Sequence, residues 1–132
     1  MWPSLILVGR VNHRITGHVD FSGQQLTKIP IKFWKVTGSF SCHDNKLTSL
    51  EHCPQTVGGS FSCVSNQITS LEHCPQTVQG DFYCYSNALK TLEFAPEEVG
   101  GDFYCENNAV LFTEDEVRAA CKVEGRINVI NK

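Results

Sequence analysis

The chain repeats itself every 21 residues, and that period constrains its fold more than any other feature. Cys42, Cys63, Cys84 and Cys105 are spaced by 21, as are Cys53 and Cys74, and the ten residues TSLEHCPQTV stand unchanged at 48–57 and 69–78. In register the units read GSFSCHDNKLTSLEHCPQTVG (38–58), GSFSCVSNQITSLEHCPQTVQ (59–79), GDFYCYSNALKTLEFAPEEVG (80–100) and GDFYCENNAVLFTEDEVRAAC (101–121), the last losing the pattern after Val110. A weaker copy, 17–37, keeps apolar residues at Val19, Phe21, Leu26, Ile29 and Val36, and Leu5, Val8 and Ile15 hold the same register. A unit this short cannot bury its own apolar face, so it must stack on its neighbours, and repetition at this period predicts a solenoid.

Within a unit, Ser39-Phe40-Ser41-Cys42-His43 alternates with the period of a short strand whose Phe and Cys face inward. Asn45 stands where the chain must turn, and Pro54 and Gly58-Gly59 punctuate the return. One strand and two turns make a coil, and about five coils stacked at about 4.8 Å give a parallel sheet about 24 Å long. Thr113-Glu114-Asp115-Glu116 is a capping-box sequence, so a short helix is expected from Thr113 with Val117, Ala120 and Cys121 on one face. Val123, Ile127, Val129 and Ile130 predict a final strand over the exposed end. The expected organisation is one domain, 1–132: an N-terminal cap (1–16), repeats (17–112) and a C-terminal cap (113–132).

Composition removes several function classes. At 132 residues and a net charge of −3, the chain lacks the basic excess of a nucleic-acid binder and has no apolar run long enough to span a membrane. Its first residues have neither a basic stretch nor a small-residue cleavage site, so no secretory leader is expected. Six of the seven cysteines keep the register of the repeat and Cys121 falls in the capping helix, so they are expected to be reduced core residues of a cytoplasmic protein, not a bridged framework. Phe21 occupies the cysteine position in the weak copy, which a packing role tolerates.

Other candidate chemistry has a plainer explanation at each place. His52-Cys53 and His73-Cys74 form a zinc-compatible set, but there is no C-x-x-C, and consecutive residues point in different directions. Glu51, Glu72 and Glu93 should form an exposed row of like charges, without the contrasting environments that paired catalytic carboxylates need. No nucleophile elbow, Walker A or H-E-x-x-H sequence is present. The expectation is a protein without enzyme activity, metal or cofactor.

If Phe and Cys point inward, the alternate residues form the outer face of the sheet. Successive coils present His18, Asp20 and Ser22; Ser39, Ser41, His43 and Asp44; Ser60, Ser62, Val64 and Ser65; Asp81, Tyr83, Tyr85 and Ser86; then Asp102, Tyr104, Glu106 and Asn107. All three tyrosines of the chain fall in the last two rows, beside three acids. Tyrosine buries a large rigid surface while keeping a polar tip, and flanking carboxylates favour a basic partner. The predicted partner-binding set is Asp81, Tyr83, Tyr85, Asp102, Tyr104 and Glu106, with His43 and Val64. Of Phe33 and Trp34, on the loop of the weak coil, one is expected to pack inward and the other to offer a second contact.

The run F-x-C-x-x-N-x-L-T-x-L resembles the leucine-rich-repeat signature, with Phe and Cys at two leucine positions. In detail, LTSLEHCPQTVGGSFSC followed by FTEDEVRAACKV is similar to the leucine-rich-repeat proteins of tailed bacteriophages related to T4, over roughly residues 17–130. The resemblance implies a right-handed coil with a short-stranded parallel sheet and a mostly irregular convex side. It also implies that Asn45, Asn66, Asn87 and Asn108 hydrogen-bond the backbone of their turn and of the next coil. Two departures stand out: Gln24 replaces the asparagine in the weak copy, and Val57 precedes Phe61 by four residues instead of three. The function it points to is a protein-protein interaction module in the host cytoplasm, a monomer or weak homo-oligomer, that inhibits or is sensed by a bacterial defence or metabolic protein. A structural, self-associating accessory protein is the alternative.

Overall fold

The computed structural model describes residues 13–130. The expected N-terminal cap, with Leu5 and Val8, and the expectation about a leader lie wholly or largely outside the described residues. From residue 13 onward the chain is a parallel β-solenoid of about six turns, with one short helix near its C-terminal end. Each turn contributes not one strand but two, so two six-stranded parallel sheets run the length of the stack. One, the valine sheet, comprises His13–Ile15, Phe33–Val36, Thr56–Val57, Thr77–Val78, Glu98–Val99 and Lys122–Val123. The other, the phenylalanine sheet, comprises Val19–Asp20, Phe40–Ser41, Phe61–Ser62, Phe82–Tyr83, Phe103–Tyr104 and Ile127–Asn128. Two-residue strands set between Pro54 and Gly58 are too short to show alternation, which is why the valine sheet is not legible as a strand in the sequence. Phe33 and Trp34 belong to it instead of to a loop; Phe33 is buried and Trp34 exposed.

Register follows the period. Val36, Val57, Val78 and Val99 pair in line, as do Phe40, Phe61, Phe82 and Phe103. The extra residue before Phe61 is explained at the corner between the sheets. A Cβ on Gly58 would meet the carbonyl oxygen of Thr37, and one on Gly59 the hydroxyl of Ser39, so coils approach here backbone to backbone. Inside, the four phenylalanine rings follow one another at 5.7, 5.4 and 5.0 Å between centroids, the first two pairs stacked and the last tilted by 32°. Leu47, Ile68 and Leu89 and the cysteines Cys42, Cys63 and Cys84 form further fully buried rows. All seven cysteines are free and buried.

Asparagine joins the coils. Asn66 Oδ1 accepts from the Leu47 N–H at 2.9 Å, while its Nδ2 donates to the carbonyls of Cys42, Cys63 and Val64. Asn45, Asn87 and Asn108 repeat this pattern, and in each case the bridged coil is the preceding one, not the next as the resemblance implied. The residue before each asparagine is left-handed: Asp44, Ser65, Ser86 and Asn107 have φ between 55 and 58°, and Gly23 takes the position in the weak coil. Asp44, Asn107 and Gly23 are of types that tolerate that conformation, whereas Ser65 and Ser86 are held in it by the hydrogen-bonded turn.

The C-terminal piece continues the solenoid. Thr113 caps a helix over Glu114–Ala120 with a complete capping box to Glu116. Val117 and Cys121 are buried as expected, but Ala120 is exposed, because only a narrow stripe of a seven-residue helix meets the stack. Lys122–Val123 and Ile127–Asn128 then add a sixth strand to each sheet.

Candidate protein-interaction face

The outer face of the phenylalanine sheet is built on a side-chain ladder at its leading edge. His18 Nδ1 accepts from the Ser39 N–H, Ser39 Oγ from Ser60, Ser60 Oγ from Asp81, Asp81 Oδ1 from Asp102, and Asp102 Oδ1 from Arg126, at 2.7–3.0 Å. Each coil thereby satisfies a backbone N–H that the corner leaves outside the sheets. In the last two rows the ladder residue is a carboxylate with a second oxygen to offer. Tyr83 Oη donates to Asp81 at 3.0 Å, and Tyr104 Oη to Asp102 at 3.2 Å.

The phenols are held upright, and the Tyr83 and Tyr104 rings stack at 4.8 Å and 15°, with Tyr85 meeting Tyr83 edge-on at 6.4 Å. Burial pushes the Tyr83 phenol up to about 12, helped by its bond to Asp81 and the Asp81 charge. Tyr104 is raised too, by burial first and then by the charge and hydrogen bond of Asp102. Both stay neutral donors at any physiological pH.

Where the N-terminal rows are small, the face drops away beside Tyr83. A notch of about 430 Å³ opens there, with Tyr83 and Tyr85 on one side, His43 and Asp44 on the other, and Ser62, Val64 and Ser65 beneath. Asp44 bonds His43 at 2.8 Å, and nearby Asp20 is held below the usual carboxylate range by hydrogen bonds from the hydroxyl and then the N–H of Ser22. Among the described residues no lysine or arginine lies within ion-pair distance of Asp20, Asp44, Asp81 or Asp102. Among the described residues the face is therefore acidic and aromatic, with no lysine or arginine paired to its aspartates and only the imidazole of His43 beside Asp44 and Asp20.

Of the residues expected to bind a partner, Asp81, Tyr83, Tyr85, Asp102 and Tyr104 form one continuous cluster, and His43 and Val64 line the notch it borders. Glu106 does not belong: it is only 6% exposed, bonded to Asn128 Nδ2 at 3.3 Å, because the sixth coil covers it. Asp44, Ser62 and Ser65 complete the notch. Their signal in the sequence is small size, which shows nothing until the neighbouring tyrosines are placed.

A larger groove, about 580 Å³, lies on the corner formed by Glu51, His52, Glu72, His73 and Phe94. Cys53 and Cys74 reach it from within the core, with burial raising both thiols well above their ordinary value. Among the described residues no three His, Cys, Asp or Glu side chains are grouped to hold a metal ion. Compared with protein-family models, curated proteins and solved structures, the chain matches none.

Proposed function

We propose that this protein is a non-enzymatic interaction module that presents the Tyr83, Tyr85 and Tyr104 cluster to a basic or mixed surface on another protein. The observation that carries the reading is the stacked, carboxylate-anchored tyrosine pair on an open sheet face whose aspartates, among the described residues, pair with no lysine or arginine. Rigid aromatics lose little entropy on contact, and uncompensated carboxylates speed the approach of a cationic surface. Because the repeat resembles those of tailed-phage leucine-rich-repeat proteins, we assign the module to a phage acting in host cytoplasm. Its partner is then a bacterial defence or metabolic protein that it inhibits, or that senses it.

Affinity purification from bacterial lysate, with mass spectrometry of what is retained, tests this. Changing Tyr83 and Tyr104 together to alanine should abolish capture and leave the melting temperature nearly unchanged; retention by the double variant overturns the site.

A second reading, self-association, draws on the C-terminal end. Leu111 and Ile130 are 66% and 71% exposed there and flank an apolar groove. Sedimentation equilibrium separates the two: the interaction reading expects a monomer at micromolar concentration, and the self-association reading a dimer or larger species that Leu111→Glu dissolves.

A further inference from the structure

The tyrosine stack ends abruptly, and the place where its next member would stand is the notch. Along the middle row of the face the side chains are Asp20, Ser41, Ser62, Tyr83 and Tyr104, in strict strand register. Tyr104 covers one face of the Tyr83 ring. The other face looks over Ser62, whose hydroxymethyl group fills little of the space. Two serine rungs, Ser62 and Ser41, separate Tyr83 from Asp20, but the Ser41 hydroxyl is fully covered and only Ser62 lines the notch. The vacated rung is thus the one over Ser62, at a coil spacing of about 4.8 Å about as thick as one planar group stacked on Tyr83.

Two kinds of planar group fit such a slot, an aromatic ring and a guanidinium. The surroundings favour the cation. Asp44 lines the far side with its side chain 60% exposed and only its Oδ2 engaged, by His43. Asp20 stands two rungs away, and among the described residues no lysine or arginine pairs with either one. Tyr83 donates its phenolic proton to Asp81, which leaves its ring richer in electrons and its face more attractive to a cation. A guanidinium stacks flat where an ammonium does not, and its edge would still point N–H groups at the Asp44 carboxylate and the Ser65 hydroxyl.

Resting on the reading that this face binds a protein, we propose that the vacated rung over Ser62 receives an arginine side chain of the partner, stacked on Tyr83 and hydrogen-bonded to Asp44. The partner is thus specified by chemistry: a segment with an exposed arginine whose neighbours tolerate an acidic surface.

The test uses the full chain and three short peptides, acetyl-Gly-Arg-Gly-amide and its lysine and citrulline counterparts, titrated while the Tyr83 ring and Asp44 amide resonances are followed by NMR. The arginine peptide should shift both saturably and bind roughly tenfold more tightly than the citrulline peptide, which keeps the plane but not the charge. The lysine peptide should be weaker than arginine. Ser62→Tyr, which occupies the rung with the chain's own ring, should abolish the shifts, whereas Ser62→Ala should leave them. Equal binding of citrulline and arginine, shifts away from the notch, no saturable shift, or undiminished binding by a folded Ser62→Tyr protein each overturns the proposal. Failure here leaves the interaction reading standing if the Tyr83/Tyr104 double variant still loses its partner; loss of both results removes both.

Discussion

At the scale of single residues, the solenoid depends on side chains that act as backbone. Asn66 makes four hydrogen bonds to main-chain groups of two coils. Asn66→Ala should therefore lower unfolding stability by about 3 kcal/mol, since it strands a buried N–H and buried carbonyls, as urea denaturation would measure. His73 illustrates the reverse. It holds φ at 73° as the second central residue of a turn closed by the Cys74 N–H on Leu71 O. Relief of left-handed strain outweighs the added freedom of the unfolded glycine, so His73→Gly should stabilise by about 0.5–1 kcal/mol. The tyrosines supply a pH prediction. Because the folded Tyr83 phenol is raised from 10 to about 12, the folded state holds that proton more tightly than the unfolded one. Its contribution to stability is complete below pH 10 and is lost as pH rises from 10 toward 12. Ultraviolet titration of the native protein should show phenolate forming late, and Tyr83→Phe should flatten the alkaline fall in stability.

At the scale of elements, neither sheet could exist alone, because most of their strands are two residues long and so short a strand holds few ladder bonds. What orders them is the core between: Phe61 is fully buried and stacked on Phe40 and Phe82. Phe61→Ala should cost about 3–5 kcal/mol, measurable as a lowered denaturation midpoint; a neutral result would mean that the inner and outer faces are reversed. The phenylalanine strands were readable because Phe, Cys and the polar residues between them alternate over five positions. The valine strands were not, because a single inward valine between proline and glycine has no period. The helix was readable from Thr113 and Glu116, whose mutual bonds depend only on local spacing.

For the molecule as a whole, interactions run almost entirely between adjacent coils, so its stability is a sum of coils and interfaces. Removing residues 59–79 joins Gly58 to Gly80 and leaves every row in register. That shortened chain should still melt cooperatively by circular dichroism, at a lower temperature, whereas removing 59–69 alone should abolish the transition because it places outward residues in the core. The candidate face belongs to this scale too. Its tyrosines, acids and notch come from five coils, and Glu106, which looks outward by alternation, is withdrawn only because a sixth coil lies over it.

The 21-residue period alone determined the solenoid, the inward rows of phenylalanine, leucine and cysteine, and the tyrosine cluster, since stacking identical units in register leaves each row no freedom. Only the tertiary structure decided the second sheet, the direction of the asparagine bridges, the burial of Glu106 and the vacated rung beside Tyr83. Those depend on which atoms of one coil meet those of the next, and on where a row of small side chains ends against large ones.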